Sequence, residues 1–180
     1  MNNIKPVIFL IPAIALILTG ILYFYFLKKS TDKSTFNKFI FTVTALALLL
    51  NFIWELIQIP LYKDGRYSID HIAFCALATL ADVIMVLLLY FGLASLSKNV
   101  FWIKNPTWQR IAFLIFTGGT GAVLAEIRHL SLGTWVYADS MPIIPLINVG
   151  VSPVLQFMIL PLLIYLFSMY RLKLLSNQIR

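Results

Sequence analysis

Five apolar runs, each about as long as the roughly 20 helical residues needed to cross a 30 Å hydrocarbon layer, dominate this chain. They are Pro6–Leu27, Phe39–Pro60, His71–Leu96, Ile111–Leu130 and Val151–Tyr170. None shows the ten-residue alternation of a transmembrane barrel strand, and each is long enough to satisfy its backbone internally as a helix. The expected fold class is an all-α membrane protein, a bundle of five transmembrane helices in a single domain over residues 1–180. Composition agrees. Of 180 residues, 61% are hydrophobic and 12% charged, too few charges to cover a water-soluble globule of this size. A soluble enzyme, a disordered tail and a nucleic-acid-binding domain are excluded.

The first run resembles a signal peptide only superficially. It is longer than a usual signal core, and Tyr23-Phe24-Tyr25-Phe26 is a poor cleavage site, so it is expected to remain as a helix. The net charge of +7 sets orientation rather than recruiting nucleic acid. Ten of the 14 basic residues fall in 28–38, 97–110 and the tail after Tyr170. The positive-inside rule then places the N-terminus outside and the C-terminus in the cytoplasm. Contact of these loops with anionic lipid is a secondary expectation. With Cys75 as the single cysteine, no intrachain disulfide can form, and nothing near it in sequence activates the thiol.

Carboxylates at membrane depth are costly, by about 2.5–3.5 kcal/mol on insertion scales, and therefore point to function. Three occur: Glu55, Asp82 and Glu126. Asn51, Glu55 and Gln58 follow i, i+4, i+7 spacing and share a helix face. His71, Cys75, Thr79 and Asp82 form a second stripe, and Gly119, Ala122, Glu126 and His129 a third. Gln156 lies shortly after Pro153 on the last helix. These groups belong to the outer half of the bundle and are expected to converge on one pocket, walled by Trp54, Tyr62, Trp135 and Tyr137. The segment 129–150, apolar but broken by Pro142 and Pro145, is expected to lie on the outer surface or dip back as a cap.

Each signal has a plainer alternative. Glu55 and Glu126 serve acid/base chemistry, or make an interhelical hydrogen bond or an ion pair with Arg128 or His129. His71 suits a headgroup contact better than catalysis. Asp82 is a proton relay or a packing residue. Glu126-x-x-His129 is half of a di-iron helix pattern, but two histidines cannot build a histidine-rich iron site, so no metal and no cofactor is expected. A single ion shared by Glu55, His71, Glu126 and His129 is the residual metal alternative. Thr117–Gly121 is glycine-rich without a following lysine and reads as helix packing, not a phosphate loop. No lysine lies at mid-membrane for a retinal Schiff base, and Ser131 and Ser152 lack a base partner for a triad.

The run Asn51-Phe-Ile-Trp54-Glu55-Leu-Ile-Gln58-Ile-Pro60-Leu61-Tyr62 resembles an N-x-x-W-E-x-x-Q-x-P-L-Y motif of uncharacterised bacterial multi-pass membrane proteins. Thr79-Leu-Ala-Asp82, Glu126 with Trp135-Val-Tyr137, Met141-Pro142 and Gly150-Val-Ser152-Pro153-Val-Leu-Gln156 extend the likeness to about Pro161. Where that pattern often has a His-Cys pair, this chain has Leu77 and Ala78. Asn51, Trp54 and Glu55 also resemble the N-x-x-W-E of integral-membrane terpene cyclases, with Glu126 matching their later acid in role, and Trp135-Val-Tyr137 resembles a W-x-Y of lycopene-cyclase-like proteins. The resemblance implies the bacterial cytoplasmic membrane and an isoprenoid-like substrate.

The leading expectation is an intramembrane enzyme, terpene-cyclase-like or isomerase-like. Glu55, Glu126 and Asp82 would be catalytic. Asn51, Trp54, Gln58, Tyr62, His71, His129, Trp135, Tyr137 and Gln156 would hold a lipophilic small molecule, with membrane lipid as the other partner. The alternatives are a small transporter or lipid-binding protein without catalysis, and a structural membrane subunit. Oligomeric state is left open.

Overall fold

The structure, a computed structural model, describes residues 10–178, with side chains through Lys173. The beginning of the first expected span, residues 6–9, and the basic residues Lys5 and Arg180 lie outside the described residues. Five helices follow one another: α1 (Leu10–Lys29), α2 (Lys33–Gln58), α3 (Ile69–Leu96), α4 (Trp108–Ser131) and α5 (Val151–Gln178). All five are long and apolar enough to cross a membrane. Much of their surface stays apolar and exposed, including Ile17, Phe24, Phe41, Phe116, Leu124 and Phe167. Such a skin suits hydrocarbon rather than water.

Helix ends are fixed by caps rather than by the limits of the apolar runs, which is why several helices outrun the expected spans. Asp32 Oδ1 accepts a 2.9 Å hydrogen bond from the Thr35 amide, so α2 starts at Lys33, ahead of the apolar stretch beginning at Phe39. That bond holds the Asp32 carboxyl below its usual pKa. Ser68 accepts from the His71 amide at the start of α3, and Thr107 from the Arg110 amide at the start of α4. Each side-chain oxygen takes up an amide that the helix itself leaves without a partner. Pro60 ends α2 in a single 3-10 turn, Ile59–Leu61.

At the end carrying the 30–32 and 97–107 connections, the core is aromatic. Phe26 stacks on Phe91 and Tyr23 on Phe36, tying α1 to α3 and α2. Tyr165 packs edge-on against both Tyr90 and Trp102, which are themselves tilted against each other. Trp102 is fully buried and donates its indole N–H to the Tyr90 carbonyl at 3.3 Å. Phe39, Val43, Ala47, Val86 and Ile164 complete the plug.

The tightest helix pair is α4 against α5, as the small residues of α4 lead one to expect. A Cβ built on Gly118 would lie 2.2 Å from the Phe157 carbonyl oxygen, and one on Gly119 would lie 3.0 Å from Met158 Cγ. Gly121 faces Met85 of α3 at 3.6 Å. The glycine-rich run is therefore a packing surface.

Segment 132–150 caps the opposite end. Its short hairpin pairs β1 (Ile143–Ile144) with β2 (Val149–Gly150). It is stitched to the α2–α3 connection by Lys63 N–H to Val136 O at 2.8 Å and Ala138 N–H to Leu61 O at 2.9 Å. Ser140 adds a hydrogen bond to the Pro60 carbonyl. The hairpin tip projects outward, with Leu146 99% exposed.

Candidate functional site

The polar stripes of α2, α3, α4 and α5 meet beneath this cap. On α2, one helical face carries Asn51, Glu55 and Gln58. Gln58 Nε2 donates to Glu55 Oε1 at 2.9 Å, and Gln58 Oε1 accepts from Ser152 Oγ of α5 at 3.1 Å. Four residues further along α5, Gln156 Nε2 donates to both Asn51 Oδ1 at 2.9 Å and Asp82 Oδ2 at 3.1 Å. Asn51 completes its bonding by donating to the Ala47 carbonyl at 2.8 Å. Asn51, Gln58 and Gln156 are buried, while Glu55 and Asp82 keep partial exposure. Two amides and a hydroxyl thus clamp carboxyl groups from two helices.

Glu126 of α4, 6% exposed, is held from the cap. Tyr137 OH and Trp135 Nε1 both donate to its Oε2, the indole at 3.2 Å. Tyr137 in turn accepts from the Gly150 amide at 3.0 Å. The Tyr62 ring lies 6.1 Å from that of Trp135 and 5.7 Å from that of Tyr137. Glu55 and Asp82 both lie within electrostatic reach of Glu126 and of each other. Burial raises the pKa of the Tyr62 phenol, and the nearby Glu126 and Glu55 raise it further. Tyr137 is raised by burial and by its bond to Glu126. Both phenols therefore stay protonated near neutral pH, and Tyr137 remains a donor.

Not every expected member joins this cluster. His71 is exposed in the first turn of α3, its Nδ1 3.0 Å from Ser68 Oγ, because the capping serine holds it at the helix mouth. Trp54 packs against the aromatic core, and its Nε1 is buried with no hydrogen-bond partner among the described residues. His129 stacks on Trp135 with ring centroids 4.2 Å apart and supports that indole from behind. Cys75 and Thr79 lie buried on α3 between the cap and Asp82, where Thr79 bonds the Cys75 carbonyl and Cys75 Sγ lies 4.0 Å from the Glu55 carbonyl. Among the described residues, no group of three or more His, Cys, Asp or Glu side chains is placed to hold a metal ion.

Two participants were not singled out from sequence as part of the site. Ser152 was set aside for want of a triad base, yet its spacing from Gln156 puts the two on one face of α5. The Gly150 amide is a backbone donor that no side-chain pattern reveals. No family model, curated protein or solved structure matches the chain, so the chemistry rests on this geometry.

The α5 amide gives a direct test of the clamp. Gln156→Leu leaves Asn51 Oδ1 and Asp82 Oδ2 without their donor. A loss of about 1–3 kcal/mol is expected, read as a lower unfolding midpoint of the detergent-solubilised protein. An unchanged midpoint would show that the bridge contributes nothing.

Proposed function

We propose that the protein is an intramembrane acid–base catalyst acting on a lipophilic, isoprenoid-like substrate. The observation that supports this most is the meeting of three carboxyl groups from three helices beside a wall of aromatic rings. Oε2 of Glu126 receives two donors, Tyr137 and Trp135, which suits the role of proton acceptor. Glu55 accepts the Gln58 side-chain amide on Oε1 and suits the role of proton donor. In the proposed step, the Glu55 carboxyl gives its proton to a substrate alkene carbon. The cation that forms is stabilised by the π faces of Tyr62, Trp135 and Tyr137. Glu126, or Asp82, removes a proton from a neighbouring carbon and leaves a new alkene. Substrate and product are isomers, and the proton returns from base to acid within the cluster. Neither oxidant nor water is consumed.

The isoprenoid character rests on the N-x-x-W-E resemblance, as does kinship with the bacterial multi-pass proteins. The charge asymmetry supports an outward N-terminus, a cytoplasmic C-terminus and a site near the outer leaflet of the cytoplasmic membrane. The packed plug of Tyr90, Trp102, Ile164 and Tyr165 at the far end favours a closed-ended site over a transport path.

Mass spectrometry of total lipid extracts tests the proposal. Cells producing the wild-type chain are expected to contain a lipophilic isomer that cells without it, or with Glu55→Gln, lack. Identical lipid profiles from producing and non-producing cells would overturn it. Proton-coupled uptake of a solute into proteoliposomes would instead favour the transporter.

A further inference from the structure

At the end of the bundle away from the carboxyl groups, the last turn of α3 and the first turns of α4 border an open groove of about 240 Å³. Leu93, Leu96 and Phe113 give it apolar walls, and Ser97, Gln109 and Arg110 a polar rim. Pockets that enclose a whole drug-sized ligand run to roughly 300–1,000 Å³. This one is smaller, so it takes part of a molecule whose remainder lies outside, along the exposed apolar surface of Leu96 and Phe113. The Arg110 guanidinium is engaged by a neutral group, the Asn105 carbonyl, at 3.4 Å. Lys28, Lys29, Lys33, Lys38, Lys98 and Lys104 belong to the same end, against the acid Asp32. Trp108, exposed beside the groove, is the type of residue that settles at headgroup depth.

We propose that this groove binds an anionic phospholipid of the bilayer. Its phosphate lies on Arg110 with Ser97 and Gln109, and one acyl chain runs along Leu93, Leu96 and Phe113. Charge complementarity selects the lipid. An anionic headgroup answers the basic end, whereas a zwitterionic one brings an ammonium group that the surrounding lysines repel. The site is separate from the carboxyl cluster, and its fate does not bear on the catalytic proposal.

The test is native mass spectrometry of the full chain in mild detergent, with equal amounts of phosphatidylglycerol and phosphatidylcholine. Wild type is expected to retain phosphatidylglycerol preferentially. Arg110→Gln is expected to lower that retention about fivefold, the worth of one basic residue at an anionic headgroup. Lys63→Gln, exposed at the opposite end of the bundle beside the cap, is expected to behave as wild type. Ser97→Trp fills the groove with the charge intact and is expected to lose the lipid as well; it decides the matter alone should Arg110→Gln fail to fold. Three results overturn the proposal: retention unaffected by filling the groove, equal losses from Lys63→Gln and Arg110→Gln, or displacement of the lipid by inorganic phosphate.

Discussion

Glu55→Gln and Glu126→Gln are each expected to abolish turnover while leaving the protein folded in the membrane. The change is nearly isosteric; it takes away the proton that Glu55 would donate and the basic oxygen with which Glu126 would accept one. A glutamine at 55 still offers Oε1 to Gln58 Nε2, and one at 126 still offers Oε1 to Tyr137 and Trp135. The hydrogen-bonded frame therefore survives. Loss of a positioned acid or base lowers rates by about 10²–10⁴-fold, and an effect of that size is expected from either substitution. The readout is conversion of the lipid identified by extraction, with circular dichroism and size exclusion confirming the fold. Turnover at wild-type rate in Glu55→Gln would remove Glu55 from the mechanism. Tyr137→Phe should do less, since Trp135 still anchors Oε2.

Gly118→Ala is the substitution expected to damage stability most. The position it would fill is 2.2 Å from the Phe157 carbonyl oxygen, and a backbone atom cannot rotate away. Pro161 explains why that carbonyl faces α4. Proline has no N–H, so the residue four positions earlier, Phe157, loses its helical donor. Its oxygen turns to the Gly118 α-carbon, where a Cα–H contact partly replaces the missing bond. Adding a methyl group forces α4 and α5 apart, at about 1–3 kcal/mol or more for an overpacked contact. The gain in helix propensity from Gly to Ala, at most about 1 kcal/mol, does not offset this. Gly92 is the control. It is exposed on α3, with nothing within 4 Å of a built Cβ, and Gly92→Ala should be neutral or mildly stabilising. Equal unfolding midpoints for the two variants would contradict this account of the α4–α5 contact.

These two positions also mark how far the sequence could be read. The spans were legible because a continuous apolar run of this length has one stable conformation in a bilayer. The facing of Asn51, Glu55 and Gln58 was legible because helical periodicity fixes it. That small residues at Gly118 and Gly119 serve packing was legible too. Their partner was not, although Pro161 carried the signal: a proline frees the carbonyl four residues before it, and something must meet that oxygen. The start of α2 at Lys33 was missed because its first turn is polar and a side-chain cap, not hydrophobicity, sets it. Periodicity puts His71 on the face of Asp82, but the two lie about three turns apart, and the Ser68 cap keeps the histidine at the mouth of α3. Trp135 and Tyr137 are expected from sequence as walls of the pocket, but their donation to Glu126 depends on backbone pairing between two loops distant in sequence, which no local pattern encodes.

The clamp on α2 has a consequence for how the chain is made. Asn51 finds its donor in Gln156, a partner 105 residues downstream, and Gln58 finds Ser152, 94 residues downstream. At a ribosomal rate of about 5–20 residues per second, α2 emerges roughly 5–20 s before the helix that completes its hydrogen bonds. For that interval a segment bearing a carboxyl and two carboxamides has no α5 to satisfy it. The final seating of α2 is therefore coupled to the arrival of the last helix.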